Sequence, residues 1–319
     1  MKTITIEDQA SGSQARISVE YGFNCFLFEG VVEGKRIEVI DAAPEFPDNG
    51  ERPSGNGIPI LFPYPNRIRK GVFTWDGKEY HLPPELVSYN RDNAIHGFCL
   101  DRPWRLIESG PDYAVGQFQL SVDAPERREL WPADFIIEVR YSVGEAVLLM
   151  ETTIYNCDDK PLPWGFGTHP YFKLPLGSDS TVEDCLVILD AERQWELVDC
   201  LPTSQQIDVP PEKDLRDGAR FNSLKLDDVY TGLADGDQRE CSIMDEKAGL
   251  QVVQRYGSLF REVVMFTPPG RNAICLEPYT CVTDAINLQQ QGIDAGLQIL
   301  NPNQEFRFQI GIGVEEIVV

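Results

Sequence analysis

The sequence predicts an all-β protein, one large antiparallel sandwich, and three observations carry that prediction. Glycine and proline are dense, 26 and 23 in 319 residues, and they cut the chain into many short segments. Within those segments apolar and polar residues alternate, the period of a half-buried strand. No stretch holds a convincing 3.6-residue period for longer than two or three helical turns.

Strand signals begin at residue 3. The clearest hairpin joins 72–75 to 78–82 through Asp76-Gly77, a dipeptide that takes the positive-φ turn matching strand twist. One turn of helix is expected at 126–130. Further strands are expected at 135–143, 147–155, 186–189, 250–254, 263–267, 273–277 and 306–311. The segments near 42–57 and 200–220, rich in Pro, Asp and Gly, read as loops too short and mixed to be linkers. Strand signals run to residue 318 with no linker-like break and no fixed-period repeat. Residues 1–319 are therefore expected to form a single β-sandwich domain, a length all-β folds reach as one unit.

Fifty-one acidic residues against 28 basic ones give a formal net charge of −23. A field of that sign repels phosphodiester backbones and anionic bilayers, so neither nucleic acid nor membrane is an expected partner. None of the eight cysteines falls in a C-x-x-C pair. They read as free thiols of a reducing compartment, not as a zinc site. The N-terminus has no apolar signal core, and no stretch approaches the ~18–20 apolar residues of a membrane span. A cytoplasmic protein is expected.

Histidine is scarce, which makes each one informative: His81, His96 and His169. His81 sits in the hairpin and reads as a surface residue. His96 precedes Gly97, which allows a close backbone approach. His169 precedes Pro170, which favours extended geometry, and lies among Gly165, Phe166, Gly167, Tyr171 and Phe172. On their own these two histidines read as structural. Glu277 changes that balance. It closes the apolar run Ala273-Ile274-Cys275-Leu276, on the face shared with Ala273 and Cys275. A carboxylate there is costly unless it is exposed at a strand end, hydrogen-bonded or functional.

Five blocks in order resemble the aldose 1-epimerase (galactose mutarotase) family. They are Asn66-Arg67-Ile68 with Gly71-Val72-Phe73 and its hairpin, His96-Gly97-Phe98 with Trp104, Thr168-His169-Pro170-Tyr171-Phe172, Asp227-Asp228-Val229-Tyr230, and Leu276-Glu277-Pro278-Tyr279 with Asp284-Ala285-Ile286-Asn287. The resemblance implies a large antiparallel β-supersandwich and a sugar substrate. It implies Glu277 as general base, His169 as general acid, His96 as a ligand of the ring or anomeric oxygens, and Arg67 and Asp227 as holders of sugar hydroxyls. The chain departs from the family pattern at Lys173, usually Asn, at Phe98, usually Gly, and at Pro278-Tyr279, where galactose mutarotases commonly carry Thr-Gln. The last departure flanks the site and puts galactose itself in doubt.

Interconverting α- and β-anomers requires the C1 hydroxyl to lose a proton while the ring oxygen gains one. One acid and one base suffice, each worth about 10²–10⁴-fold, with no metal or cofactor. A histidine beside carboxylates, in so acidic a protein, is expected to stay protonated. Trp164, Phe166 or Tyr279 could stack on the sugar. Three rival readings remain: a metalloenzyme using His96, His169 and Glu277, a non-catalytic sugar-binding module, and an epimerase of hexose 6-phosphates held by Arg67, Arg69 and Lys70.

Overall fold

A computed structural model describes residues 1–317; the strand signal at 318 lies outside them. Two large antiparallel sheets form the body. The first has nine strands, in the order Arg105–Ser109, Tyr113–Gln119, Phe135–Gly144, Val147–Asn156, Glu305–Glu316, Leu250–Gly257, Gln238–Asp245, Cys185–Leu189 and Ala219–Arg220. The second runs Leu201–Asp208, Ala191–Val198, Asp227–Leu233, Glu262–Phe266, Ala273–Tyr279, Gly167–Thr168 and Ile60–Leu61, with Tyr171–Lys173 also paired to Ala273–Tyr279. A four-stranded sheet of the first 38 residues stands beside them, in the order Thr3–Glu7, Gln14–Ser18, Asn24–Val32 and Lys35–Glu38. This is the expected β-supersandwich.

The core lies between the sheets. Ile137, Val139 and Tyr141 from one, and Tyr230, Val263, Met265, Ile274 and Leu276 from the other, belong to one continuous buried cluster. Alternation explains the set, because every second residue of each strand points inward. The opposite face of the second sheet is also covered. Val229, Val264, Tyr279 and Trp195 pack there with Cys281, Val282, Ala285 and Leu288 in a separate apolar cluster.

The 72–75/78–81 hairpin forms with Asp76 and Gly77 both at positive φ (47° and 74°). The expected helical turn is the 3-10 helix Pro125–Leu130. Part of the expected 200–220 loop is instead the strand Leu201–Asp208. It pairs on one side only, tolerates Pro202 and leaves several residues half-exposed, as an edge strand can. The strand expected at 273–277 continues through Pro278 to Tyr279. A proline argues against an interior strand because it lacks a donor. Ala285–Gln290 is a short helix that the sequence pattern does not announce. No helix among the described residues is long and apolar enough to cross a membrane.

Candidate active site

Cys275, Glu277 and Tyr279 alternate onto the face of their strand that points away from the sandwich core, while Ile274 and Leu276 enter that core. The neighbouring strands hold Tyr171 opposite Cys275, Val264 opposite Glu277, and Asp227 opposite Phe266. Glu277 is only 1% exposed. Its Oε1 lies 3.2 Å from His169 Nε2, and its Oε2 accepts a 2.5 Å hydrogen bond from the Tyr279 hydroxyl.

His169 is placed by its backbone N–H, which donates to Pro59 O (3.0 Å), and by its ring, stacked on Tyr171 at 4.9 Å and 8°. His96 meets that imidazole edge-on, with ring centroids 5.5 Å apart. The glycine after His96 is needed: a Cβ at Gly97 would fall 2.2 Å from Phe62 O, and φ there is +75°. Gly167 has a similar reason. A Cβ there would fall 2.3 Å from the Tyr279 ring. Arg67 pairs in register with Ile95, next to His96, and is nearly buried. It donates to Asn66 Oδ1 (2.8 Å) and Asn90 Oδ1 (3.3 Å), and its Nε has no partner. Asp284 holds this segment: its backbone N–H donates to Arg67 O, and its carboxylate accepts from the Arg69 N–H and from Asn287. The Asp284-Ala285-Ile286-Asn287 block is thus a brace for Arg67.

Asp227 opens its strand at an exposed position, where its carboxylate accepts from the Cys200 thiol. It is close enough to raise the Glu277 pKa, and Arg67 is close enough to lower it. All five anticipated residues therefore come to one place. Trp164 and Phe166 do not. They pack on Phe308 inside the sandwich, so the stacking role expected for them is absent. Tyr279 is fully buried and bonds Glu277, so its ring is no open stacking surface. His81 lies on the surface beside Glu79.

Burial sets the protonation. It pushes the Glu277 carboxyl well above its ordinary range, against the Tyr279 hydrogen bond. It pushes His169 down to about 3, with Arg271 and Arg67 adding to the shift. His96 is lowered too, first by burial and then by His169. The expectation of a protonated His169 is thereby reversed. Surface charge is screened within about 8–10 Å, whereas desolvation acts at the ring itself. Both shifts favour the uncharged forms, drawing the proton toward the carboxyl and away from the ring.

The donors that could hold a metal are His169, Cys275 and Glu277, all within 4.8 Å of one another. His96 is not part of that set, so the anticipated His96, His169 and Glu277 triad is not the one assembled. Cys275 shares the Glu277 face by period-2 reading alone. Tyr171 lies in the same block as His169, whereas Asn90 and Cys200 arrive from elsewhere in the chain and carry no sequence signal.

A family model of aldose 1-epimerase matches residues 42–313. The chain belongs to the aldose 1-epimerase family. YihR of Escherichia coli strain K12 is 26% identical over 258 residues, 80% of this chain and 77% of that protein. The rat galactose mutarotase is 30% identical over 128 residues, 40% of this chain but 35% of the mutarotase. A galactose mutarotase-like protein of Clostridium acetobutylicum superposes with a TM-score of 0.85 at 22% identity, covering 99% of both chains, which establishes the shared fold.

Proposed function

We propose that this member of the family is an aldose 1-epimerase that opens and recloses the ring of a free, neutral aldose. The observation that carries the reading is the buried Glu277–His169 contact at 3.2 Å, which sets a carboxyl and an imidazole within reach of one proton. Arg67, with a free Nε, and Asp227 are suited to hold ring hydroxyls, and His96 to contact the ring or anomeric oxygen. Hydroxyl donors from a bound sugar, with Arg67 and Tyr279, favour the Glu277 carboxylate and shift the shared proton to His169. Glu277 then accepts the C1 hydroxyl proton while His169 donates to the ring oxygen. Closure on the other face runs the same transfers in reverse. No cofactor or metal is required for either transfer.

Two observations support neutral sugars over 6-phosphates. Arg69 is engaged with Asp284 (Nε–Oδ2 3.5 Å), and the chain carries a net charge of −23. Retention of both an acid and a base favours catalysis over mere binding. Polarimetry of freshly dissolved α-glucose, α-galactose and other aldoses tests the reaction. Decay no faster than without protein for every aldose would sink it. A much higher kcat/KM for a 6-phosphate, abolished by neutralising Arg69 and Lys70, would reverse the substrate assignment.

A further inference from the structure

The two oxygens of Glu277 are divided between different partners. Oε1 faces His169 Nε2 at 3.2 Å, and Oε2 takes the Tyr279 hydroxyl at 2.5 Å. Tyr279 is fully buried and stands two residues along the same strand, so both side chains leave the same face. Its ring belongs to the apolar cluster that includes Leu61, Val264 and Cys281, and it lies where a Cβ at Gly167 would fall 2.3 Å from it. The hydroxyl therefore has little freedom to leave the carboxyl.

We infer that Tyr279 is a positioning residue: its O–H fixes the plane of the Glu277 carboxyl by occupying Oε2 and leaves Oε1 as the proton-transferring atom. The inference rests on the proposed role of Glu277. A carboxyl rotating about its last bond would present either oxygen to His169, and the donor–acceptor geometry of each transfer would be lost for part of the time. A hydrogen bond from a phenol also favours the charged carboxylate, opposing the burial that disfavours it. The chain places this donor where galactose mutarotases commonly carry Thr-Gln, so the same base is steadied here by an aromatic residue.

The test compares wild type with Tyr279→Phe and with a protein carrying difluorotyrosine at 279. Phenylalanine keeps the buried ring and removes only the donor, and the fluorinated phenol is a stronger donor of the same shape. In Tyr279→Phe we expect kcat to fall about 10- to 100-fold with KM changed less than about twofold. The kcat/KM profile reports the free enzyme, in which burial favours the protonated Glu277 carboxyl. Its alkaline limb should move to higher pH in Tyr279→Phe and to lower pH with difluorotyrosine. A purely structural role would lower thermal stability and leave both limbs in place, and unmoved limbs overturn the inference.

Difference infrared titration of the protonated Glu277 carboxyl, assigned by its loss in Glu277→Gln, needs no turnover. Its midpoint should rise in Tyr279→Phe, and a midpoint equal to that of wild type overturns the inference. If the wild type turns over no aldose, yet the midpoint rises in Tyr279→Phe, the proposed reaction is overturned and the Tyr279–Glu277 assignment stands.

Discussion

Along Phe135–Gly144, in the nine-stranded sheet, buried and half-exposed side chains alternate, whereas along Ala273–Tyr279, in the eight-stranded sheet, every side chain is buried. The first strand has one face in the core and the other toward water. The second has the core on one face and, on the other, a second layer made of the apolar cluster around Val264 and the Glu277–His169 pair. A carboxyl on the outer face of the first strand, such as Glu138, stays partly in water and bonds Gln117. A carboxyl on the outer face of the second is desolvated, and desolvation is what drives Glu277 and His169 toward sharing a single proton. The difference teaches that the second layer, more than the identity of the residues, prepares this site for proton transfer.

The comparison breaks most clearly by substituting the pair itself. Glu277→Gln and His169→Asn should each lower kcat by about 10²–10⁴-fold. The double variant should fall well short of the product, because the two act as a unit. Near wild-type turnover in a folded Glu277→Gln protein would end the assignment.

The nine-stranded sheet should behave in the opposite way. Ile137→Ala, within the core on that sheet, should cost about 2–5 kcal/mol in denaturant unfolding and leave kcat unchanged below the new melting temperature. A kcat loss comparable to that of Glu277→Gln would mean that the sheet is more than scaffold.

The pH dependence sharpens the comparison further. With burial holding His169 down to about 3, His169 should contribute no inflection to kcat/KM in the ordinary histidine range near pH 6–7, and the alkaline limb should belong to Glu277. An inflection at that position that disappears in His169→Asn would mean the ring is solvated.

A second carboxyl on the same covered face gives a stability test. Glu262 is buried, accepts from Trp195 Nε1 at 3.1 Å, has no partner at Oε1, and is raised to about 8 by burial. Its folded pKa lies above its unfolded one, so its contribution is fully present below about 4.5 and is lost as pH rises through about 8. Glu262→Gln should therefore unfold at a higher temperature than wild type at pH 9. The advantage should be on the order of a few kcal/mol and should close by pH 4–5. An advantage independent of pH would contradict the burial argument. The smallest effect is expected from exhaustive chelation, which should leave activity intact; loss restored by one metal would favour the metalloenzyme reading.

Much of this was legible in the sequence where one face of a strand meets water. The strands at 135–143 and 147–155 follow their alternation to within a residue of the observed ends. The five candidate residues were readable because their motifs lie in family order, and the structure brings all five together. The contribution of Tyr279 was hidden. Pro278 reads as a strand stop, so the residue after it was not counted on the Glu277 face. The Leu201–Asp208 strand was hidden because an edge strand tolerates the proline and polar residues that elsewhere mark a loop. The protonation state was misjudged from net charge, a global quantity, when local desolvation decides it.

The seat of the Tyr279 ring over Gly167 also constrains the history of the chain. A methyl group at 167 would fall 2.3 Å from the ring, and one at Gly165 would fall 2.3 Å from Cys281 Sγ. Positions 165 and 167 are therefore locked to 281 and 279, more than a hundred residues away. A methyl group at 167 would also lie 2.9 Å from Pro65 Cβ, so exchanging the tyrosine for a smaller residue relieves only part of the clash. Once alanine is fixed there, the tyrosine cannot return by a single mutation. Changes in these segments should therefore be correlated, a side chain at 167 requiring room to be made at both 279 and 65.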